Sequence, residues 1–281
     1  MARQQSQTIW QWTLGNAPLR RRDSMAVEEP LEIRVDTRPI SVTLRTPGHD
    51  DELAAGFLLS EGVLEEAGQI AEIVPYPRNP SGNVLTVFLA PEVRVDFARL
   101  TRHVFASSSC GLCGKATVAS VHQQFPPVKN WWTVSATTLL RLPDCLRKQQ
   151  KVFDRTGGLH AAALFDREGE LLVAREDIGR HNAVDKVLGW AMLKNRLPLD
   201  THILTVSGRA SFEILQKALA ARVSMVVSVS APSSLAVEFA RASGQTLVGF
   251  IRGRRMNIYS GKKRIQFPRR SSNSREPNSL D

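Results

Sequence analysis

The second half of the chain alternates short apolar runs with longer amphipathic stretches, and this alternation restricts the possible folds more than any other feature. Apolar runs at 203–206, 225–229 and 246–251 predict strands, while the stretches at 211–221 and 232–241 predict helices. Strands that alternate with helices need right-handed crossover connections, which give a largely parallel sheet covered on both faces. The pattern therefore predicts an α/β domain.

The same periodicities predict further elements on either side of a seam near residue 130. Two hairpins are predicted from alternating apolar and polar residues, at 31–44 and 160–174. Helices are predicted at 50–59 and 138–148 and from Asn182 onward, and a strand at 84–89. The N-terminal part should therefore combine α and β elements in a smaller unit.

A loop with two cysteines lies in the N-terminal part, in the sequence SSSCGLCG at 107–114. Small neighbours leave the sulfurs of Cys110 and Cys113 accessible, and a C-x-x-C pair can bind a metal, switch between thiol and disulfide, or carry sulfur. A closed zinc site needs four ligands, and the remaining cysteine, Cys145, has no paired neighbour. A surface loop without chemistry also stays open, so the motif alone does not decide.

The overall composition is that of a globular protein of 281 residues with a net charge of +10. We find no run of about 18 or more apolar residues, so no membrane-spanning helix is expected. Three cysteines favour a reducing cytoplasm. We predict a flexible arm (1–24), an N-terminal α+β part ending in the cysteine loop (25–130), a C-terminal α/β domain with the cofactor site (131–265) and a disordered basic tail (266–281).

Three loops after predicted strands are candidate anion sites, because ligands of such sheets collect at the carboxyl ends of the strands. They are the loop at 207–209, the loop at 228–234 and the arginine-rich turn after the last strand. Plain turns and solvated charge remain the alternatives. The polar cluster at 175–182 suggests either the wall of a site or an ion-pair network, and His160 alone is more often structural.

In combination, the motifs resemble the formate dehydrogenase accessory sulfurtransferase family, FdhD. The matching stretches are ELAAGFLLSEG (52–62), SCGLCG (109–114), TGGLHAA (156–162), REDIGRHNAVDK (175–186), SGRASFE (207–213) and LVGF (247–250). The likeness covers roughly residues 27 to 261.

The resemblance implies a sulfur carrier that serves formate dehydrogenase. The family takes sulfur from a cysteine desulfurase as a cysteine persulfide and passes it to the molybdenum or tungsten bis(guanine dinucleotide) cofactor. Cys110 matches the persulfide-bearing cysteine, and Cys113 would assist transfer. The matching cofactor-binding segment consists of Phe250, Ile251, Arg252, Gly253, Arg254 and Arg255.

The resemblance also implies a fold like that of the cytidine deaminases, a three-layer α/β/α domain, and a homodimer. Deamination itself is not expected, because no proline precedes Cys110 and no glutamate follows two residues after His160.

Two other functions remain open from the residues. A chaperone that binds the cofactor without passing sulfur would not need Cys110. A basic nucleic-acid-binding protein would explain the net charge, although we expect nucleic acid to be an unlikely partner.

Overall fold

The computed structural model describes residues 2–77, 79, 82–97, 124–129 and 131–268. The strands are β1 (Gln4–Gln11), β2 (Leu19–Ala26), β3 (Glu29–Val35), β4 (Arg38–Arg45), β5 (Ile70–Pro75), β6 (Val84–Leu89), β7 (Val134–Ser135), β8 (His160–Phe165), β9 (Leu171–Asp177), β10 (Ile203–Val206), β11 (Met225–Ser228), β12 (Thr246–Arg252), β13 (Arg255–Ser260) and β14 (Ile265–Gln266). The helices are α1 (Asp50–Ser60), α2 (Ala136–Gln149), α3 (Phe153–Thr156), α4 (Arg180–Leu193), α5 (Phe212–Ala220) and α6 (Ser234–Ala242).

The central element is a six-stranded sheet with the order β13-β12-β11-β10-β8-β9. Its three middle strands β10, β11 and β12 are parallel and are joined by α5 and α6. On either side an antiparallel partner extends the sheet, β8 next to β10 and β13 next to β12. The predicted α/β domain with crossover helices is confirmed, and β13 is an additional strand that the sequence did not predict.

Helices cover both faces of this sheet because successive side chains of each strand point to opposite faces. On one face, Ala161, Ala163 and Phe165 of β8 belong to a core with Leu139 and Leu142 of α2. On the other face, a larger core includes α4, α5 and α6. The three-layer arrangement of helices, sheet and helices therefore follows from the alternation within the strands.

The N-terminal part forms a four-stranded sheet with the order β4-β3-β6-β5, and its core is continuous with the larger core of the central sheet. The two parts meet where α1 crosses α4. A Cβ atom built on Gly56 would lie 1.9 Å from the carbonyl oxygen of Asp185, and one on Gly189 would lie 1.8 Å from that of Glu52. These glycines allow the two helix backbones to touch. The domain boundary at residue 130 stays a prediction, but the hydrophobic core crosses it.

An ion pair and a buried hydrogen bond join the same two parts. Lys186 of α4 is fully buried, and its Nζ donates to Asp177 at 2.6 Å and to the carbonyl oxygen of Thr46 at 2.8 Å. Arg175 donates from two nitrogens to Glu52 of α1 at 2.5 and 2.6 Å. Arg175 and Asp177 of the polar cluster at 175–182 therefore belong to an ion-pair network, which was one of the two open interpretations.

The first residues form a regular element instead of the flexible arm predicted for 1–24. Strands β1 and β2 pair antiparallel from Gln4↔Ala26 to Gln11↔Leu19. The sequence did not predict these strands because both faces of the ribbon are largely exposed, so the strands lack the alternation of buried and polar residues that marks a half-buried strand.

Two further expectations concern the ends and the membrane. The predicted tail at 266–281 lies outside the described residues from residue 269 onward, and Gln266 belongs to β14. Within the described part of the chain, no helix is long and apolar enough to cross a membrane.

Candidate functional site

The loops after β10, β11 and β12 lie at one edge of the central sheet, which we call the carboxyl edge. Three hydrogen bonds connect them. The hydroxyl of Ser228 donates to the carbonyl oxygen of Gly208 at 2.8 Å. The amide of Ala210 donates to the carbonyl oxygen of Ala231 at 3.2 Å, and the amide of Phe250 donates to the carbonyl oxygen of Ser230 at 3.1 Å. The two serine loops and the end of β12, which the sequence predicts as separate anion sites, therefore form one surface.

Helix N-termini point to the same edge. Helix α4 begins after Gly179 and helix α5 after Ser211, and neither residue caps its helix with a side-chain hydrogen bond. By contrast, Ser233 before α6 accepts from the amide of Ala236. The first-turn amides of α4 and α5 therefore keep donor capacity, and the helix dipole makes such positions favourable for anions.

Four cationic or ionisable side chains surround Gly208 at this edge. The electrostatic neighbours of His160 include Arg180, His181 and Arg209. A Cβ on Gly208 would lie 3.1 Å from Nδ1 of His160 and 3.7 Å from Cβ of Arg180, so the glycine lets both side chains approach the loop backbone.

The titratable groups respond to this concentration of charge. Burial, followed by the charges of Arg180, His181 and Arg209, lowers the pKa of His160. The hydrogen bond from His181, whose Nε2 lies 2.7 Å from Oε2 of Glu213, lowers the pKa of that carboxyl. At neutral pH the edge therefore holds a neutral His160 within a field that favours an additional negative charge.

The arginine-rich turn extends beyond this edge. Phe250 has a left-handed backbone with φ 49° and an exposed side chain, and a register shift separates it from the regular pairing of β12 with β13. Arg252 and Arg255 are paired at the end of the hairpin, with Gly253 at φ 57° between them. Arg252, Gly253, Arg254 and Arg255 are exposed, whereas the side chain of Ile251 is buried in the smaller core. Five of the six residues predicted to bind the cofactor are therefore accessible at their side chains or at the glycine backbone.

The sequence did not identify three of the edge residues as one group. Arg180 and His181 were part of the polar cluster at 175–182, and His160 was interpreted as structural. The antiparallel pairing of His160 with Asp177 and the register that continues from Ala162↔Val206 bring them beside the loop at 207–209. The pairing of β8 with β10 was the missing information.

The donor set of the edge suits phosphate groups. Arginine forks, backbone amides and hydroxyls are phosphate ligands, and an exposed phenylalanine offers a ring face for a base. The described residues contain no group of three or more His, Cys, Asp or Glu side chains that could hold a metal ion. Cys110 and Cys113 lie outside the described residues.

Comparison with known proteins gives consistent matches over most of the chain. Residues 26–266 match the model of the FdhD/NarQ family. The chain is 53% identical to the sulfur carrier protein FdhD of Mycobacterium tuberculosis, over 87% of this chain and 92% of that protein. It is 51% identical to the sulfur carrier protein FdhD of Streptomyces coelicolor, over 87% of this chain and 90% of that protein.

A crystal structure of a proposed formate dehydrogenase accessory protein from Desulfotalea psychrophila has the same fold. It superimposes with a TM-score of 0.77 at 24% identity and covers 94% of this chain and all of that one. The extent of the family match and the identity to the curated relatives lead to one conclusion: this chain belongs to the FdhD/NarQ family.

Proposed function

We propose that this protein is a sulfur carrier required for formate dehydrogenase activity, which accepts sulfur from a cysteine desulfurase on Cys110 and transfers it to the molybdenum bis(guanine dinucleotide) cofactor. The curated relatives named sulfur carrier protein support the carrier role. The observation in the structure that carries the proposal is the carboxyl edge, where cations, amides and hydroxyls converge on a surface suited to the phosphates of a dinucleotide.

The phosphates of the cofactor would meet the edge in two zones. The first zone is the loop at Gly208, where Arg180 and Arg209 add charge and the N-termini of α4 and α5 add amides. The second zone is the turn with Arg252, Arg254 and Arg255. A bis(guanine dinucleotide) carries phosphates on two arms, so two separate cationic zones on one surface match the cargo better than one compact site.

The sulfur chemistry would run through the two cysteines of the 107–114 loop. The thiolate of Cys110 attacks the terminal sulfur of the desulfurase persulfide, the donor S–S bond breaks, and the desulfurase cysteine leaves as a thiolate. The thiolate of Cys113 then attacks Cys110 at the sulfur bonded to carbon, which releases hydrosulfide to the cofactor and leaves a Cys110–Cys113 disulfide. A cellular thiol reductant restores the pair.

The carrier chemistry is tested by mass spectrometry of the purified protein after incubation with an active cysteine desulfurase and cysteine, without reductant. One added sulfur on the Cys110 peptide, removed by reductant and missing in Cys110→Ala, is the expected result. A Cys110 peptide with neither an added sulfur nor a disulfide to Cys113, while the desulfurase is active on another acceptor, would reject the carrier function.

The cofactor step needs a separate measurement, because a chaperone that binds the cofactor without passing sulfur would use the same carboxyl edge. In cells that lack the endogenous protein, wild type should restore formate dehydrogenase activity and Cys110→Ala should not. Restoration by Cys110→Ala would favour the binding-only chaperone instead.

The resemblance carries three further parts of the proposal. We propose a cytidine deaminase-like C-terminal domain, supported by the sheet order β9-β8-β10-β11-β12 with helices on both faces. We also propose a homodimer and a cytoplasmic location, which sedimentation and cell fractionation test.

A further inference from the structure

The β1–β2 hairpin has a strongly exposed apolar end. Its large apolar side chains are accessible over most of their surface, namely Trp10 at 69%, Trp12 at 60%, Leu14 at 84% and Leu19 at 63%. Clusters of exposed apolar side chains mark interaction sites, because their contact with water is unfavourable in the free protein. The family match begins at residue 26, which is the last residue of β2.

Behind this apolar tip lies a basic collar, which consists of Arg20, Arg21 and Arg22. Two of the guanidinium groups are held by the hairpin itself. Arg21 donates to Oε1 of Gln11 at 2.7 Å, and Arg20 lies over the ring of Trp10 at 5.8 Å. Arginine forks match carboxylates in a two-point geometry, so these side chains suit an acidic partner.

The root of the hairpin lies at the rim of the carboxyl edge. Arg3 donates to the carbonyl of Glu176 at 3.1 Å, the amide of Val27 donates to the carbonyl of Arg3 at 3.1 Å, and Ala26 lies beside Gly158. Glu176 and Gly158 are near neighbours of the edge residue His160. From this root, eight paired residues per strand extend the ribbon by about 24 Å.

We propose that the hairpin is a docking arm for the enzyme that receives the cofactor, and that it binds an acidic surface around an apolar depression on that enzyme. The inference rests on the proposed function, since it assigns the recipient of the cargo at the carboxyl edge. A ribbon rooted at the rim of the cargo site holds the recipient near that site. The apolar tip and the held arginines behind it fit a protein surface that offers both kinds of contact.

Two double variants of the full-length protein test the arm. Trp12→Ser with Leu14→Ser removes two of the four large apolar side chains of the tip. Both residues follow the last paired position of β1, so the strand pairing is retained. Arg20→Glu with Arg22→Glu reverses the collar. The matched controls are Trp131→Ser, which is 70% exposed elsewhere, and Lys262→Glu with Lys263→Glu, which reverses two exposed charges outside the hairpin.

The measurement is the Kd for immobilised, cofactor-free formate dehydrogenase of the same organism, by biolayer interferometry at two salt concentrations. Each hairpin variant should weaken binding at least about tenfold, with both controls within about twofold of wild type. Wild-type binding should weaken as salt rises, and the collar variant should lose most of that dependence. Equal binding by wild type and both hairpin variants would overturn the inference.

Two further measurements distinguish failure of this inference from failure of the proposed function. Sulfur loading of Cys110 should be unchanged in both hairpin variants, because the cysteine chemistry does not use the arm. A wild type that cannot be loaded rejects the carrier function, whatever the hairpin binds. A hairpin whose variants lose self-association, binding to phosphatidylglycerol vesicles or binding to duplex DNA, but not binding to the enzyme, belongs to another partner and also overturns the inference.

Discussion

Cationic side chains are concentrated in two regions, the crossing of α1 and α4 and the carboxyl edge of the central sheet. The two regions differ in whether these cations have carboxylate partners. At the crossing, each buried amine has a carboxylate. Lys186 pairs with Asp177, and Lys217 pairs with Asp185 at 2.9 Å. At the carboxyl edge, neither Arg180 nor Arg209 forms an ion pair with a described carboxylate, and Nε of Arg180 is buried without a hydrogen-bond partner.

This difference distinguishes charges that stabilise the fold from charges that are available to bind a ligand. A buried ion pair costs desolvation and contributes little net stability, but removal of one partner leaves an uncompensated charge. Arg180 and Arg209 have no ion-pair partner among the described carboxylates, although His181 at the same edge pairs with Glu213. Their mutual repulsion weakens the fold slightly, and a bound anion would offset it. Substitution should therefore cost stability at the crossing and ligand affinity at the edge.

The largest expected effect is at Lys186. Lys186→Met leaves Asp177 buried without its cation, so the free energy of unfolding should fall by about 3–5 kcal/mol. Urea unfolding followed by tryptophan fluorescence measures the change. The control is Lys262→Met, an exposed lysine whose substitution should stay within about 0.5 kcal/mol of wild type. A small effect at Lys186 would remove the contrast between the two regions.

The helix contact should come next. Gly189→Ala places a methyl group against the carbonyl oxygen of Glu52, and a backbone atom cannot move aside as a side chain can. We expect a loss of about 3 kcal/mol in the same unfolding measurement. Gly68→Ala is the matched control, because its nearest neighbour to a new Cβ is a glutamate side chain at 3.9 Å. Equal stability of the two variants would show that α1 and α4 can separate without cost.

At the carboxyl edge the effect should appear in binding instead. Arg209 is exposed, so Arg209→Gln should change the free energy of unfolding by less than about 0.5 kcal/mol. It should weaken the affinity for GDP, used as a probe for the guanine dinucleotide, by about tenfold. Isothermal titration calorimetry measures the affinity, and Arg141→Gln on α2 is the control. A loss of stability with unchanged affinity would place Arg209 in the scaffold.

The smallest effect should be the pH dependence due to His160. Because the pKa of His160 is lowered in the folded protein, the unfolded chain takes up its proton first as pH falls. The contribution of His160 to stability is therefore complete above the ordinary histidine pKa of about 6.5 and is lost as pH falls through the lower folded value. His160→Gln should unfold with a shallower pH dependence in this window.

Ligand binding provides the second half of the same test. A bound phosphate offsets the arginine charges around His160 and should raise its pKa, so GDP should bind more tightly as pH falls through the titration of His160. Histidine NMR titration with and without GDP follows this shift. The same pKa in both samples would show that the ligand does not reach the edge loop at Gly208.

Much of the fold could be predicted because its signals are local. The predicted strands at 84–89 and 203–206 coincide with β6 and β10, and the predicted helix at 138–148 lies within α2. Here the apolar periodicity of a few successive residues determines both the type of element and the face that is buried. The β1–β2 hairpin was missed for the same reason, since a ribbon exposed on both faces has no such periodicity.

The candidate site could be predicted only in part. The loops at 207–209 and 228–234 and the turn at Gly253 were predicted as candidate anion sites. Hydroxyls, glycine and arginines directly after a strand indicate such a site within a short stretch of sequence. The polar cluster at 175–182 was ambiguous, because Arg175 pairs with a glutamate 123 residues away. No local pattern reports such a distance.

The sequence by itself therefore determined the alternating strands and helices of the α/β domain, the cysteine pair and the family resemblance. Only the tertiary structure decided which charges are paired. Within the polar cluster at 175–182, Arg175 and Asp177 form ion pairs near the crossing of α1 and α4, whereas Arg180 and His181 lie at the carboxyl edge. The physical reason is that periodicity acts over a few residues, whereas the partner of a charge depends on which distant strands and helices are brought together.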